Sequence, residues 1–271
     1  MFDIITFGSA TQDIVLTPKH VTSLKYEKHP AHSSEVCFPV GSKVEVEDMK
    51  FYVGGGGTNT ATTFANQGFK TAFCGVVGND IPGKEILHEL KKNGIHAKLV
   101  KITKEKRTNN SVIILNSGLD RTILTYRGAA GLMPKEEIPF HKLKARWFYL
   151  APLSGLLAES FKDIVDFAHE RKIKIAVNPG MAQLASKDFP EIAKKIDILF
   201  LNEEEASFLT KLPIHGEKET RAPFQGARPS TQIEDLSALV FEKIDELCPG
   251  IAVMTKGGEG VVVSDGKHIY S

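Results

Sequence analysis

The chain has 271 residues, and its 34 Lys+Arg against 33 Asp+Glu leave a net charge of +1. With 42% hydrophobic and 25% charged residues the composition is that of an ordinary globular protein, which excludes wholesale disorder and allows a large core. Charge this balanced carries neither the basic footprint of a nucleic-acid binder nor a polybasic membrane signal, and no window has the apolar length of a membrane span.

The opening Met-Phe-Asp-Ile-Ile-Thr-Phe-Gly lacks the basic start and long apolar stretch of a secretory leader. Asp3 to Gly8 reads as a buried strand. Thr58 to Asn66 reads as a short helix and Thr71 to Val77 as a strand ending at Gly78. Pro82 to Asn93 is a predicted helix, with Pro near its start, Ile86, Leu87 and Leu90 on one face, and Gly94 as the stop. Trp147 to Leu150 is a strand. Ala158 to Arg171 is a helix with Phe161, Ile164, Val165 and Ala168 on one stripe. Strands follow at Lys174 to Asn178 and Ile196 to Leu201, then a helix from Glu203 to Leu209. A longer helix from Ile233 to Leu247 precedes a strand from Ile251 to Thr255. The end, Gly260 to Ser271, reads as a hairpin cut off in mid-strand.

This alternation predicts a mainly parallel sheet covered on both faces, with ligands beyond the carboxyl ends of the strands. Gly78, Asn178, Asn202 and Thr255 fall at those ends. Two β-rich stretches, 33–53 and 110–127, have no intervening helix and predict a small antiparallel appendage placed like a lid. Lys43 to Glu47 alternates as a half-exposed strand does. Glu217 to Gln232 reads as an exposed insertion. The cysteines, Cys37, Cys74 and Cys248, are odd in number and form no CxxC, so neither a disulfide framework nor a zinc site is indicated and a reducing cytoplasm is expected. His29 and His32 read as solvated loop residues.

The strongest local feature is Gly54-Gly-Gly-Gly57, followed by Thr58, Asn59 and Ala61. Glycines between a strand and a helix let backbone N–H groups approach a ligand, although such a run is also a common turn. Gly68 and Gly78 continue the frame. Gly78 to Lys84 has the glycine and lysine spacing of a phosphate loop, but Glu85 follows in place of the Ser or Thr that would bind Mg²⁺. No G-x-G-x-x-G opens a helix after a strand, so a dinucleotide fold gains no support.

The spaced glycine frame, with Asn202-Glu-Glu-Glu205 and Thr255-Lys-Gly257-Gly-Glu-Gly260, resembles the ribokinase-like (PfkB) carbohydrate kinase family. The resemblance runs from Asp3 to the chain end. It implies a three-layer α/β/α fold over 1–271, incomplete at its C-terminus, with a small β lid from 33–53 and 110–127. It also implies transfer of phosphate from ATP to a sugar hydroxyl. Asp13 would accept hydrogen bonds from sugar hydroxyls, the alternative being a turn or helix cap. Gly55, Gly57 and Asn59 would line the sugar site, and Arg127 would touch a polar or anionic substrate group or remain solvated. Asn178, Asn202, Thr255, Gly257 and Gly260 would face the nucleotide, and Glu205 would organise Mg²⁺. Asn202 and Glu205 fit a helix cap equally well. The lid would exclude water, and Val44 and Val46 suit either covering the sugar or a homodimer surface.

Two departures stand out. Gly56 stands where many ribokinases have Lys, and Leu150-Ala-Pro152 stands where they have an acidic side chain. Ribose is therefore disfavoured, and fructose, another sugar, a sugar acid or a nucleoside stays open. The family's D-T-x-G-A-G-D, whose last Asp is the general base, is absent. The catalytic residue is thus unassigned, and the chain as it stands is expected to be nearly inactive. A non-catalytic sugar-binding or regulatory module and an unrelated α/β binding domain are the competing expectations.

Overall fold

Short buried strands alternating with amphipathic helices close into one nine-stranded sheet. The structure, a computed structural model, describes residues 1–20, 22–25, 34–115, 121–212 and 230–271. Its strands are β1 (Phe2–Phe7), β2 (Thr11–Pro18), β3 (Thr22–Lys25), β4 (Ser34–Cys37), β5 (Val46–Gly54), β6 (Thr71–Gly78), β7 (His96–Thr103) and β8 (Asn109–Ile114). They continue as β9 (Thr122–Tyr126), β10 (Ala145–Leu150), β11 (Lys174–Val177), β12 (Ile198–Asn202), β13 (Ile251–Thr255), β14 (Val261–Ser264) and β15 (Ile269–Tyr270). The helices are α1 (Gly56–Asn66), α2 (Ile81–Lys92), α3 (Gly155–Glu159), α4 (Phe161–Glu170), α5 (Met181–Leu184), α6 (Phe189–Ala193), α7 (Glu203–Thr210) and α8 (Ser230–Leu247).

The large sheet has the order β15-β14-β13-β12-β11-β10-β1-β6-β7. It is parallel from β13 to β7, and β14 and β15 extend it as an antiparallel hairpin. A parallel sheet covered on both faces needs apolar residues on both sides of each strand. β6, Thr-Ala-Phe-Cys-Gly-Val-Val-Gly, meets that demand and is buried along its whole length. On one face Phe7, Phe148, Leu150, Val177, Leu199 and Met254 pack in one core with Phe161, Ile164, Phe189 and Phe241 from the helices. On the other, Phe73 and Val77 pack with Ala61 of α1 and with Ile86 and Leu90 of α2. Farther along that second face, Trp147, Tyr149, Ile198 and Phe200 are half-buried beside an apolar groove of about 280 Å³ that Phe64 of α1 also lines.

The expected α/β architecture is present, with local differences. The single helix predicted from Ala158 to Arg171 is two helices. Ser160 separates them, because its hydroxyl donates back to the Leu156 carbonyl and competes with a continuous helix. The appendage is a four-stranded sheet of order β5-β2-β8-β9, with β3 and β4 pairing separately. It is not purely antiparallel as expected: β2 and β8 pair in parallel. The reason is topological. β2 follows β1 and β8 follows β7, two parallel strands of the large sheet, so both enter the appendage from the same end. Its leading strand begins at Val46 rather than Lys43, which leaves Val44 in the preceding loop. Strands β2, β3 and β7 were not foreseen.

The reading of Gly260 to Ser271 as a hairpin agrees with β14 and β15, and among the described residues β15 pairs with β14 alone, at the sheet edge. Residues 213–229, most of the expected insertion, and His29 and His32 lie outside the described residues. Ser230 already opens α8. Cys74 and Cys248 are buried free thiols, and burial pushes them up to about 12 and about 11 respectively. Cys37 is half-buried.

Candidate functional site

Strand order reverses direction at β1. One branch of the chain builds outward through β6 and β7, the other through β10 to β13. The gap between β1 and β10, at their carboxyl ends, is a topological switch point, where an open α/β sheet leaves a crevice for a ligand. The glycine run docks there. The Ser9 carbonyl accepts from Gly57 N–H at 3.0 Å, and the Ser9 hydroxyl accepts from Gly56 N–H at 3.2 Å. The Thr6 hydroxyl donates to the Gly57 carbonyl at 3.0 Å. The run is thereby tied to β1, and α1 starts inside it at Gly56, two residues before the predicted start.

Side chains are excluded from the run by its neighbours. Gly55 has φ of 102°, and a Cβ there would lie 2.5 Å from the Ser9 carbonyl oxygen. A Cβ at Gly54 would lie 1.9 Å from Asp13 Oδ2. The Asp13 carboxylate therefore lies over the glycine run, held from β2 in register with Tyr52 of β5 and Ser111 of β8. Burial raises the Asp13 carboxyl above its ordinary value, and the Ser111 hydroxyl, donating to it, offsets part of that rise. This partner is a side-chain hydroxyl, whereas a turn or helix cap would engage a backbone N–H. Asp13, Gly55 and Gly57 thus form one cluster. Asn59 is exposed on the first turn of α1. Arg127 lies outside the cluster, exposed just past the end of β9.

A second cluster lies along the same edge of the sheet. Tyr149, Asn178, Phe200, Leu201, Asn202, Glu205 and Thr255 line a cavity of about 290 Å³. Asn178 follows β11, donating its backbone N–H to Leu150 at 2.9 Å and its amide to the Phe200 carbonyl at 3.3 Å. Asn202 and Thr255 are register partners at the ends of β12 and β13. Asn202 and Glu205 cap α7 reciprocally: Asn202 Oδ1 accepts from Glu205 N–H at 2.8 Å, and Glu205 Oε2 accepts from Asn202 N–H at 2.9 Å. The capping reading is therefore correct as far as it goes. Burial raises the Glu205 carboxyl above its ordinary value, the Asn202 N–H opposes this, and the Glu204 charge adds to it. Gly257 and Gly260 have φ of 56° and 98° in the turn between β13 and β14, with nothing within 4 Å of a Cβ at either. They shape the turn and leave the surface above it open.

Sequence reasoning missed Ser9 and Ser111, which anchor the glycine run and the carboxylate, and the aromatic walls Tyr149 and Phe200. Ser111 sits in an Asn109-Asn110-Ser111 string that opens β8, a polar start that marks a strand end without naming its partner. Both parts of the first departure meet in space: a Cβ at Gly56 would lie 3.0 Å from the Ala151 Cβ.

Comparison with known proteins places these features in a family context. The model of the pfkB family carbohydrate kinases matches residues 25–270. Ribokinase from Schizosaccharomyces pombe is 26% identical over 216 residues, covering 77% of this chain and 62% of that protein. Probable fructokinase-5 from Arabidopsis thaliana is 26% identical over 176 residues, covering 58% of this chain and 53% of that protein. The chain thus spans less than two thirds of these relatives' own length. Among solved structures, Arabidopsis thaliana ribokinase complexed with ribose and ATP superposes with a TM-score of 0.69 at 22% identity, over 100% of this chain and 77% of that one. Giardia lamblia ribokinase gives 0.73 at 20%, over 100% and 76%. At these identities the structural likeness concerns the fold.

Proposed function

Because the chain belongs to the pfkB family of carbohydrate kinases, we propose that it serves ATP-dependent phosphorylation of a sugar hydroxyl. The observation that carries this reading is the half-buried Asp13 carboxylate lying over the glycine run at the switch point. Sugar hydroxyls donate to Asp13, an acceptor for two at once, while Gly55, Gly57 and Asn59 present backbone and amide groups around them. Arg127 meets a polar or anionic substituent. The nucleotide phosphates lie along the same sheet edge, near Asn178, Asn202, Thr255, Gly257 and Gly260.

The second cavity suits Mg²⁺ chemically. Its donors are oxygens and amides, and the α7 cap takes Asn202 Oδ1 and, of the two Glu205 oxygens, Oε2. No group of three or more His, Cys, Asp or Glu able to hold a metal occurs among the described residues. An ion there would rest on Glu205, water and the phosphates, the pattern Mg²⁺ favours, and would supply charge neutralisation for phosphoryl transfer. The second sheet, with the rest of 33–53 and 110–127, acts as a lid that keeps water from the transferred phosphate. Its exposed Val46, Met49, Phe51 and Leu124 suit a homodimer contact. A cytoplasmic setting is proposed with the free thiols, and no described helix is long and apolar enough to cross a membrane.

Gly56 and Leu150-Ala-Pro152 supply neither the lysine nor the acid, so a substrate other than ribose is proposed: fructose, another sugar, a sugar acid or a nucleoside. No Gly-Ala-Gly-Asp string occurs in the 271 residues. They are accordingly expected to bind substrate while turning it over far below kinase rates. The second reading is a sugar-binding module without catalysis. Titration with a panel of sugars, sugar acids and nucleosides, with ADP formation followed in parallel, separates the two when the protein comes from its complete coding sequence. Binding with ADP release supports the kinase, binding alone supports the module, and no binding by any member contradicts both.

The raised Asp13 carboxyl gives a pH signature. The ionised form accepts two hydroxyl bonds and the protonated form gives up part of that capacity. Sugar affinity is therefore expected to be flat near neutrality and to fall as pH drops through the Asp13 value, which lies above the ordinary 3.8. Affinity that stays constant down to that range, measured by titration calorimetry on a protein shown to remain folded, would remove Asp13 from the sugar site.

A further inference from the structure

The Asp80 carboxylate joins two parts of the molecule. It caps α2, Oδ1 accepting from Gly83 N–H at 3.0 Å. It also holds Thr108, the residue just before β8. Oδ2 accepts from Thr108 N–H at 2.9 Å, and Oδ1 accepts from the Thr108 hydroxyl at 2.6 Å. That hydroxyl in turn accepts from Gly78 N–H at 2.9 Å. The next residue repeats the pattern toward β9: Asn109 Oδ1 accepts from Gly128 N–H at 2.9 Å and from Ala130 N–H at 3.1 Å. Thr108 and Asn109 are only 2% and 8% exposed, so water offers little replacement for these bonds. The backbones meet closely as well. A Cβ at Gly128 would lie 2.1 Å from the Arg107 carbonyl oxygen, and one at Gly78 2.5 Å from Thr108 N.

A helix cap alone needs the one bond to Gly83. The two further bonds root the second sheet at the start of β8. Ser111, three residues farther along β8, donates to Asp13. A short rigid path therefore runs from Asp80 through Thr108 and Ser111 to the carboxylate over the glycine run. We propose that Asp80 is a positioning residue for the sugar site, fixing Ser111 and Asp13 over the glycine run by clamping Thr108 at the root of the second sheet. The bonds that Asp80 accepts, with the Arg107 charge, outweigh its partial burial and hold its carboxyl below the usual range, which keeps the clamp charged at neutral pH. This inference rests on the reading of Asp13 as the sugar acceptor.

Asp80→Asn separates the two duties, since an amide keeps one acceptor for Gly83 but turns an NH₂ toward Thr108 N–H. Thr108→Val removes the hydroxyl with little change of shape, and Thr108→Ser restores it. Hydrogen exchange of the β8 and β9 amides is compared with that of α2, and sugar affinity is titrated for each variant. The expected result is faster exchange in β8 and β9 with α2 unchanged, and affinity about tenfold weaker for Asp80→Asn and Thr108→Val, with Thr108→Ser near wild type. Equal loosening of α2, unchanged exchange in β8 and β9, or unchanged affinity beside faster exchange would overturn the proposal. If the wild-type protein binds no sugar, the functional reading fails while the exchange comparison still decides whether Asp80 clamps the sheet.

Discussion

Asp13→Asn is expected to weaken sugar binding about 100-fold. A carboxylate accepting two hydroxyl bonds gains roughly 1.5–3 kcal/mol from each, whereas an amide retains one neutral acceptor and opposes the second hydroxyl with a donor. A loss of about 3 kcal/mol corresponds to about 100-fold. The amide has nowhere better to go, because the carboxylate already touches the space a side chain at Gly54 would fill. Stability should move the other way or not at all. Burial raises the Asp13 carboxyl, so the ionised group is held at some cost in the unliganded protein, and removing its charge relieves that cost. Titration calorimetry and thermal melting on the same samples check both halves. Unaltered affinity would sink the assignment, and a large fall in melting temperature would make Asp13 a structural residue instead.

Gly57→Ala is expected to destabilise the fold by about 2–3 kcal/mol, the cost of overpacking a filled interior. The new Cβ would lie 2.6 Å from Cε2 of Phe73 and 3.0 Å from the backbone of Gly8. Neither neighbour yields easily. Phe73 is fully buried among Ala10, Ala61, Val77 and Ile86, and Gly8 belongs to the link between β1 and the glycine run. Any shift there also strains the Gly57 N–H bond to Ser9, so the site should lose affinity along with stability. Gly258→Ala is the control. It has open space around its Cβ position and ordinary φ, and should change stability by less than about 0.5 kcal/mol. Urea unfolding of the three proteins decides the matter. A Gly57→Ala protein as stable as the control variant would mean that the run is a flexible turn.

Much of this arrangement was legible in residue pattern because the physics is local. Apolar runs such as Thr71–Gly78 and the stripe Phe161, Ile164, Val165 and Ala168 bury the residues their periodicity indicates. The start of α1 was misplaced because glycine is a poor helix former, and here the helix opens on Gly56 and Gly57 through tertiary bonds to Ser9 rather than propensity. The parallel pairing of β2 with β8 joins Asp13 to Ser111 across 98 positions of chain, and nothing local specifies it. For the same reason the carboxylate was visible as a candidate but its Ser111 partner was not. Asp80 shows an intermediate case. Its cap of α2 is a local bond, yet its hold on Thr108 exists only once the second sheet has folded back. Asn202 and Glu205 show the converse limit: a pattern read for function also meets its structural reading in full, and the cap is the duty the geometry shows.

The most direct measurement of the central claim is sugar-dependent ADP formation by the protein from its complete coding sequence, followed with Mg-ATP across sugars, sugar acids and nucleosides. The account predicts that at least one such alcohol raises ADP formation well above the ATP-only background, and that Asp13→Asn removes the increase at subsaturating substrate. ADP formation that no alcohol stimulates, or stimulation that Asp13→Asn leaves intact, would contradict it.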